Sequence, residues 1–185
     1  MPFDRGRTVT NRIKAPHGAD AAYTAFVEAA WQRQLRFALL LTGDRWQAEE
    51  LLQDSLVRIY ERWRRLSSAD DLQAYLRKVL VNNHTSIWRR RRRESLVADV
   101  PERSAPDRAV SADALVLRDA LRALPPRQRA VVVLRHYEDL PEREVAAVLG
   151  CSLGTVKSQH SKALAKLRHL VGEVGENHLV HGRSR

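Results

Sequence analysis

The chain has 185 residues, 44% of them hydrophobic, and 32 Lys and Arg against 22 Asp and Glu give a net charge of +10. That length holds one ordinary domain or two small ones, and a single cysteine, Cys151, excludes an internal disulfide framework and any multi-cysteine metal site. No apolar run approaches the roughly 18 residues of a membrane span, and the basic start MPFDRGRTVTNRIK has no apolar stretch behind it, so no secretory leader is expected. What remains is a soluble protein of a reducing compartment whose excess charge favours a polyanion, either nucleic acid or an anionic membrane surface.

Residues 1–19 combine Gly, Pro and scattered charge without an apolar period and read as a mobile arm. A first periodic block follows at 20–93. Asp20 is placed to cap a helix running to about Leu41, with Tyr23, Phe26, Val27, Ala30, Leu35, Ala38 and Leu39 at helical spacing. Thr42-Gly43 stops it. Asp44 and Gln47 form a capping pair that opens a second helix, whose apolar stripe is Ala48, Leu52, Ser55, Leu56, Ile59 and Trp63. A short polar loop, Arg64 to Ala69, comes next. Asp70 and Gln73 repeat the capping pattern before a third helix that carries Leu72, Tyr75, Leu76, Val79, Leu80, Asn83 and Ile87 on one face and runs into Arg89 to Arg93.

Residues 94–112 hold two prolines and little periodicity, and read as a flexible linker. The second block, 113–171, opens at Asp113 with a helix that ends at Leu124-Pro125-Pro126. Pro126 suits the first position of a new helix. Asp139 and Pro141 introduce a short helix, Glu142–Leu149; Gly150-Cys151 turns the chain, and Ser152 caps a last helix reaching about Leu170. The tail, 172–185, is polar and reads as frayed. The expected fold is all-α: two small helical domains joined by a linker, the second of them a helix-turn-helix.

That second block carries the strongest local signal. Val145, Ala146, Leu149, Gly150 and Val156 sit at helix-turn-helix offsets; the small Ala146 permits a close helix crossing, and Gly150 suits a left-handed turn. Around Val156, the residues Leu153, His160, Ala163, Leu164, Leu167 and Leu170 form an apolar arc. Gly154, Thr155, Ser158, Ser161 and Lys162 lie opposite, with Lys157 on the shoulder. Small hydroxyls and lysines on the outer face of a second helix suit a DNA major groove; an ordinary helical hairpin with a solvated face fits the same spacing.

Other features keep two readings each. The arginine run is either a solvated helix end or a grip on successive phosphates, with Trp88 either in the core or stacked on an unpaired base. Asn83, in the middle of an apolar face, reads as buried and hydrogen-bonded, whereas Asn82 at its edge is placed to meet a base. Glu49, Glu50, Gln53, Asp54 and Glu61 make the second helix acidic. That charge either answers the helix dipole or forms a docking face for a basic protein. The seven histidines show no metal-binding spacing, no glycine-rich phosphate loop follows a strand, and Cys151 reads as a packing residue. No catalytic residues, metal or cofactor are expected. A membrane surface is disfavoured because neither basic helix joins its charge to a free apolar face.

Three stretches taken together, LTGDRWQAEELLQDSLVRIYERW, DDLQAYLRKVLVNNHTSIWRRRRR and ALPPRQRAVVVLRHYEDLPEREVAAVLGCSLGTVKSQHSKALAKL, resemble a bacterial sigma factor of the extracytoplasmic-function group, most like its actinobacterial SigE-type members. The resemblance covers most of residues 20–170. It implies a cytoplasmic, non-catalytic factor that brings core RNA polymerase to promoter DNA, contacting its β′ clamp and β subunits, and that an anti-sigma factor commonly holds inactive. By the same resemblance, 20–93 corresponds to sigma region 2 and 113–171 to sigma region 4. Glu50, Gln53, Asp54 and Arg58 would meet polymerase. Lys78, Asn82, Trp88, Arg89, Arg90 and Arg91, with the loop Arg64–Ala69, would hold the −10 element. Thr155, Lys157, Ser158, Ser161 and Lys162 would read the −35 element. The linker, roughly 65 Å when extended, would let the domains sit on separate elements. Ser86 stands where members often carry an acid, and Gln159 where Arg is common; both departures bear on base preference, not on the general role. A stand-alone helix-turn-helix regulator is the alternative, and it leaves the acidic helix without a task.

Overall fold

A computed structural model describes residues 18–66, 71–94 and 112–181, and every regular element among them is helical. Eight helices follow in order: α1 (Gly18–Thr42), α2 (Arg45–Tyr60), α3 (Trp63–Leu66), α4 (Leu72–Glu94), α5 (Ala112–Arg122), α6 (Pro126–His136), α7 (Glu142–Leu149) and α8 (Leu153–His181). Helices α1 to α4 pack as one group, and α5 to α7 gather against α8 as a second. The mobile arm lies almost wholly outside the described residues. So do 67–70 of the polar loop and the interior of the linker.

Most helix ends follow local chemistry. Gly43 adopts φ +74° after α1, where a side chain is strained, and a Cβ there would stand 2.0 Å from Cγ of Arg122. Asp44 caps α2, its carboxylate accepting the Gln47 N–H at 2.9 Å. The reciprocal half of the capping pair is replaced: the Asp44 N–H points instead to Oγ1 of Thr42 at 3.4 Å. Pro126 opens α6, Gly150 closes α7 in the left-handed region, and Ser152 accepts the Thr155 N–H at the start of α8.

Four boundaries differ from expectation. Helix α1 starts at Gly18, so Asp20 sits inside its first turn, where a carboxylate still favours the positive end of the dipole, and accepts the Tyr60 hydroxyl proton at 3.1 Å. Asp71 caps α4 by accepting the Ala74 N–H at 2.7 Å, a role expected of Asp70, which lies outside the described residues. Trp63–Leu66 forms a separate turn, α3, that carries Trp63 back under α1. Helix α8 continues to His181, through the segment read as a frayed tail. Gly172 and Gly175 cost about 1 kcal/mol each in a helix, but no proline intervenes and elongation of a formed helix is easy.

The predicted stripe of α2 is buried throughout: Ala48, Leu52, Ser55, Leu56, Ile59 and, beyond the helix, Trp63. It packs on Ala30, Phe37, Ala38 and Leu41 of α1 and Leu76 and Leu80 of α4. Tyr23, Phe26, Tyr60 and Trp63 close one end of this bundle through ring contacts. The Tyr23 hydroxyl donates to the Leu56 carbonyl at 2.9 Å, and burial, then Tyr60, pushes its pKa up. Asn83 is buried as expected, and its amide donates to Oγ of Ser55 at 3.2 Å, joining α4 to α2.

The two groups share a core. Val131, Leu134 and Leu140 and Val145 of the second group are buried in one cluster with Phe37 and Leu41 of α1. The buried Arg129 of α6 donates to the carbonyl of Leu41 in α1, and to those of Arg122 and Leu124. Burial, with Arg122 nearby, pushes its pKa down to about 10, so it stays charged at neutral pH.

Candidate nucleic-acid interface

The exposed face of α2 is one stripe. Trp46, Glu50, Gln53, Asp54, Val57, Arg58 and Glu61 recur three or four apart and all face solvent. Glu49 turns aside to pair with Arg45 at 3.0 Å. The sequence reading found the polar members and missed the apolar ones: Trp46 is 65% exposed and Val57 57%. The available signal was position, since both extend the Glu50–Gln53 stripe and lie off the buried one. A surface that sets a bare indole and a valine among carboxylates suits a protein partner, where aromatic anchors dominate binding and acids steer it.

Between α2 and α4 lies a cleft of about 580 Å³. Asp54 and Arg58 line one wall; Lys78, Asn82, Asn83 and Ser86 line the other. The residues expected to meet polymerase and those expected to meet unpaired bases thus share an edge. Lys78 and Asn82 are exposed, and Ser86, one of the two departures from the family pattern, forms part of the wall. Further along α4, Trp88 lies at the surface, at 36% exposure, rather than in the core, beside exposed Arg89 and Arg90. The side chain of Arg91 lies outside the described residues.

On α8, Lys157, Ser158, Ser161 and Lys162 are exposed together. Val156 and Ala163 are fully buried and anchor the opposite side of the helix. Two expectations change. Thr155 is only half-exposed, because its hydroxyl pairs with Oγ of Ser152 at 2.8 Å and it faces α4. Leu153, placed in the apolar arc, is 39% exposed at the first position of α8. His160 meets His136 of α6, Nε2 to Nε2 at 2.8 Å with rings stacked. Burial lowers the pKa of His160, with His136 and Arg135 adding to the effect and Glu142 opposing it.

A small cavity of about 40 Å³ lies where α4 packs on the second group, lined by Asn82, Thr85 and Arg89 on one side and Cys151, Thr155 and Gln159 on the other. Among the described residues no cluster of three His, Cys, Asp or Glu is arranged to hold a metal ion, and no helix is long and apolar enough to cross a membrane.

Comparison with known proteins identifies the family. Residues 26–94 match Sigma-70 region 2, and residues 114–167 match Sigma-70, region 4. The chain is 42% identical over 158 residues to the RNA polymerase sigma-E factor of Streptomyces avermitilis, covering 82% of this chain and 86% of that one. It is 33% identical over 169 residues to the ECF RNA polymerase sigma factor SigL of Mycobacterium tuberculosis, covering 85% and 96%. The structure is similar to the sigma factor RpoE from Bartonella quintana, solved in complex with the anti-sigma factor NepR, with a TM-score of 0.68 at 26% identity, covering 82% of this chain and 97% of that one. The chain belongs to the sigma-70 family and is a sigma factor of its extracytoplasmic-function group, which directs transcription initiation by RNA polymerase.

Proposed function

We propose a division of labour among the three surfaces. The α2 stripe, through Glu50, Gln53, Asp54 and Arg58 with Trp46 as an apolar anchor, docks on the β′ clamp of core polymerase. The α2–α4 cleft and the basic end of α4 take the −10 element: Asn82 meets a base edge, Trp88 stacks on an unpaired base, and Lys78, Arg89, Arg90 and Arg91 neutralise phosphates. The outer face of α8 enters the major groove of the −35 element, with Lys157, Ser158, Ser161 and Lys162 as its contacts and Thr155 at its margin. Residues 20–93 and 113–171 are then the two working domains and 94–112 their tether. The chain works in the cytoplasm and leaves phosphoryl chemistry to the polymerase; an anti-sigma factor is a further expected partner.

The observation that carries this reading is the separation of charge. In a chain of net charge +10, acid gathers with bare apolar side chains on α2, while bases and hydroxyls gather on α4 and α8. A stand-alone regulator has no use for the α2 stripe. Pull-down with core polymerase tests the division: Glu50→Arg combined with Asp54→Arg is expected to abolish retention while leaving duplex binding by α8 intact. Full retention of the double variant refutes the docking assignment.

A further inference from the structure

Two histidines that the functions assigned above leave unused close the solvent edge of the α6–α8 contact. His136 is the last residue of α6 and is exposed; His160 lies half-buried on α8. One turn before each ring its helix is anchored in the core, by Val132 on α6 and by Val156 on α8, and Ala163 is buried on the turn after His160. Lys157 and Ser161, both exposed, flank His160 on the same stretch of α8. The position of that ring and the aim of the outer face therefore move together.

The contact is nitrogen to nitrogen. The Nε2 atoms stand 2.8 Å apart, with ring centroids at 5.1 Å and planes inclined by 28°. A neutral imidazole carries one N–H and one bare nitrogen, so this distance is a hydrogen bond only while a single proton lies between the two atoms. The neutral pair meets that condition with one ring protonated at Nε2 and the other at Nδ1. A first added proton goes to the free Nδ1, facing away, and the bond becomes charge-assisted. A second puts an N–H on both facing nitrogens, and the bond is lost between two cations. The pair titrates as a unit, and its second step is the disruptive one. Of the elements packed on α8, α6 sets Arg135 as well as His136 against the His160 ring, and α7 sets Glu142, which partly offsets them. Helix α5 meets α8 further along, where Leu121 clusters with Ala163 and the Lys166 ammonium donates to the Ala123 carbonyl at 2.7 Å. Burial first, then His136 and Arg135, holds the His160 pKa below its ordinary value.

We propose that His136 and His160 form an acid-released clamp on the DNA-reading helix, intact while the facing nitrogens share one proton and opened when both carry one. The proposal rests on the assignment of α8 to the −35 duplex. Val156 and Ala163 are buried at the back of α8, so opening shifts the helix on α6 without unfolding it. Base-edge hydrogen bonds need donors and acceptors in register, whereas attraction to phosphates tolerates a displaced helix. The added charges also favour any duplex. Acid therefore erodes discrimination between sequences more than affinity for DNA. The working range lies below about pH 6.5, the ordinary histidine value, because burial and the neighbouring cations delay the second proton.

Long-range proton–nitrogen NMR of the histidine rings, on the full chain, reads each tautomer directly. At pH 7.5 we expect opposite tautomers at His136 and His160, and a His160 titration that moves to higher pH when His136→Gln removes its neighbour. Identical tautomers, or a His160 titration unmoved by that exchange, overturn the shared proton. Holoenzyme assembled with core polymerase gives the functional readout. Its retention is measured on a promoter duplex selected at pH 7.5 from a random-sequence pool, against the same duplex with the −35 element scrambled. From pH 7.5 to pH 5.5 the preference should fall about fivefold with the native chain and by about twofold or less with His136→Gln, a change at an exposed position. Equal falls with the two chains overturn the clamp. A preference absent from both chains at pH 7.5 would count against the assignment of α8 alone, and the NMR titration would still decide the pair.

Discussion

The acidic stripe of α2 and the basic faces of α4 and α8 are solved by opposite means. On α2, acids alternate with Trp46 and Val57, and the surface stands free. On α4 and α8, bases and hydroxyls surround small polar side chains, and part of each face turns toward the other. A protein partner is met by apolar anchors in a charged field, a nucleic acid by cations with adaptable donors. The two faces also come close at one point, where Asn82 and Thr155 line the same small cavity.

The largest expected effect breaks the comparison on the α2 side. Trp46→Ala should weaken core polymerase binding by about 30-fold, the roughly 2 kcal/mol of an aromatic anchor, with helical circular dichroism unchanged; titration calorimetry against core enzyme measures it. Next comes the tie between the two faces. Asn83→Ala removes a buried donor to Ser55 and should cost about 1–2 kcal/mol of stability, read as a lower urea midpoint with the slope unchanged. On α8, Lys162→Ala should lower the slope of log affinity against log salt by about one. A slope that stays put removes Lys162 from the phosphate contacts. If sequence preference survives the drop, Lys162 positions the helix and reads no base.

The smallest effect concerns pH. His160 has its pKa lowered in the folded chain, so folding favours its neutral form. The unfolded chain therefore binds more protons as pH falls below about 6.5, and the stability that His160 confers is present above that pH and lost below it. His136 and Arg135 crowd the same ring, and Glu142 partly offsets them. His160→Gln should flatten the melting temperature between pH 7 and pH 5; an equally steep decline would assign the slope to other groups.

Local elements were legible because local chemistry decides them. Gly43, Asp44, Pro126, Gly150 and Ser152 end or begin helices by rules that need only their neighbours. The stripe of α2 and the burial of Asn83 followed from helical period. The choice of Asp71 over Asp70 as cap was not legible, since adjacent aspartates carry the same signal one residue apart. Trp46 was missed because period identifies the buried face and is silent on an apolar residue left outside it. The packing of the two groups on each other was hidden for a stronger reason. Glu138 sits in HYEDLP, where an acid before a turn looks solvated, and its partners Arg33 and Arg77 are far away in the chain. Periodicity reports that a face is covered, never by what, and a buried carboxylate is declared only by cations that folding brings to it.

The hydrogen bond from Asn83 to Ser55 has a mechanical meaning. It fastens α4 to the back of α2, across helices that already share Leu52, Leu76 and Leu80. The two helices form a lever with no joint between its arms. Whatever grips the outer side of α2 thereby sets the angle of Asn82 and Trp88, which under the proposed function meet a separated strand. On that reading, aligning the enzyme and aiming the bases become one movement, and a mutation that loosens this single hydrogen bond would leave both surfaces intact while blurring the aim of one relative to the other.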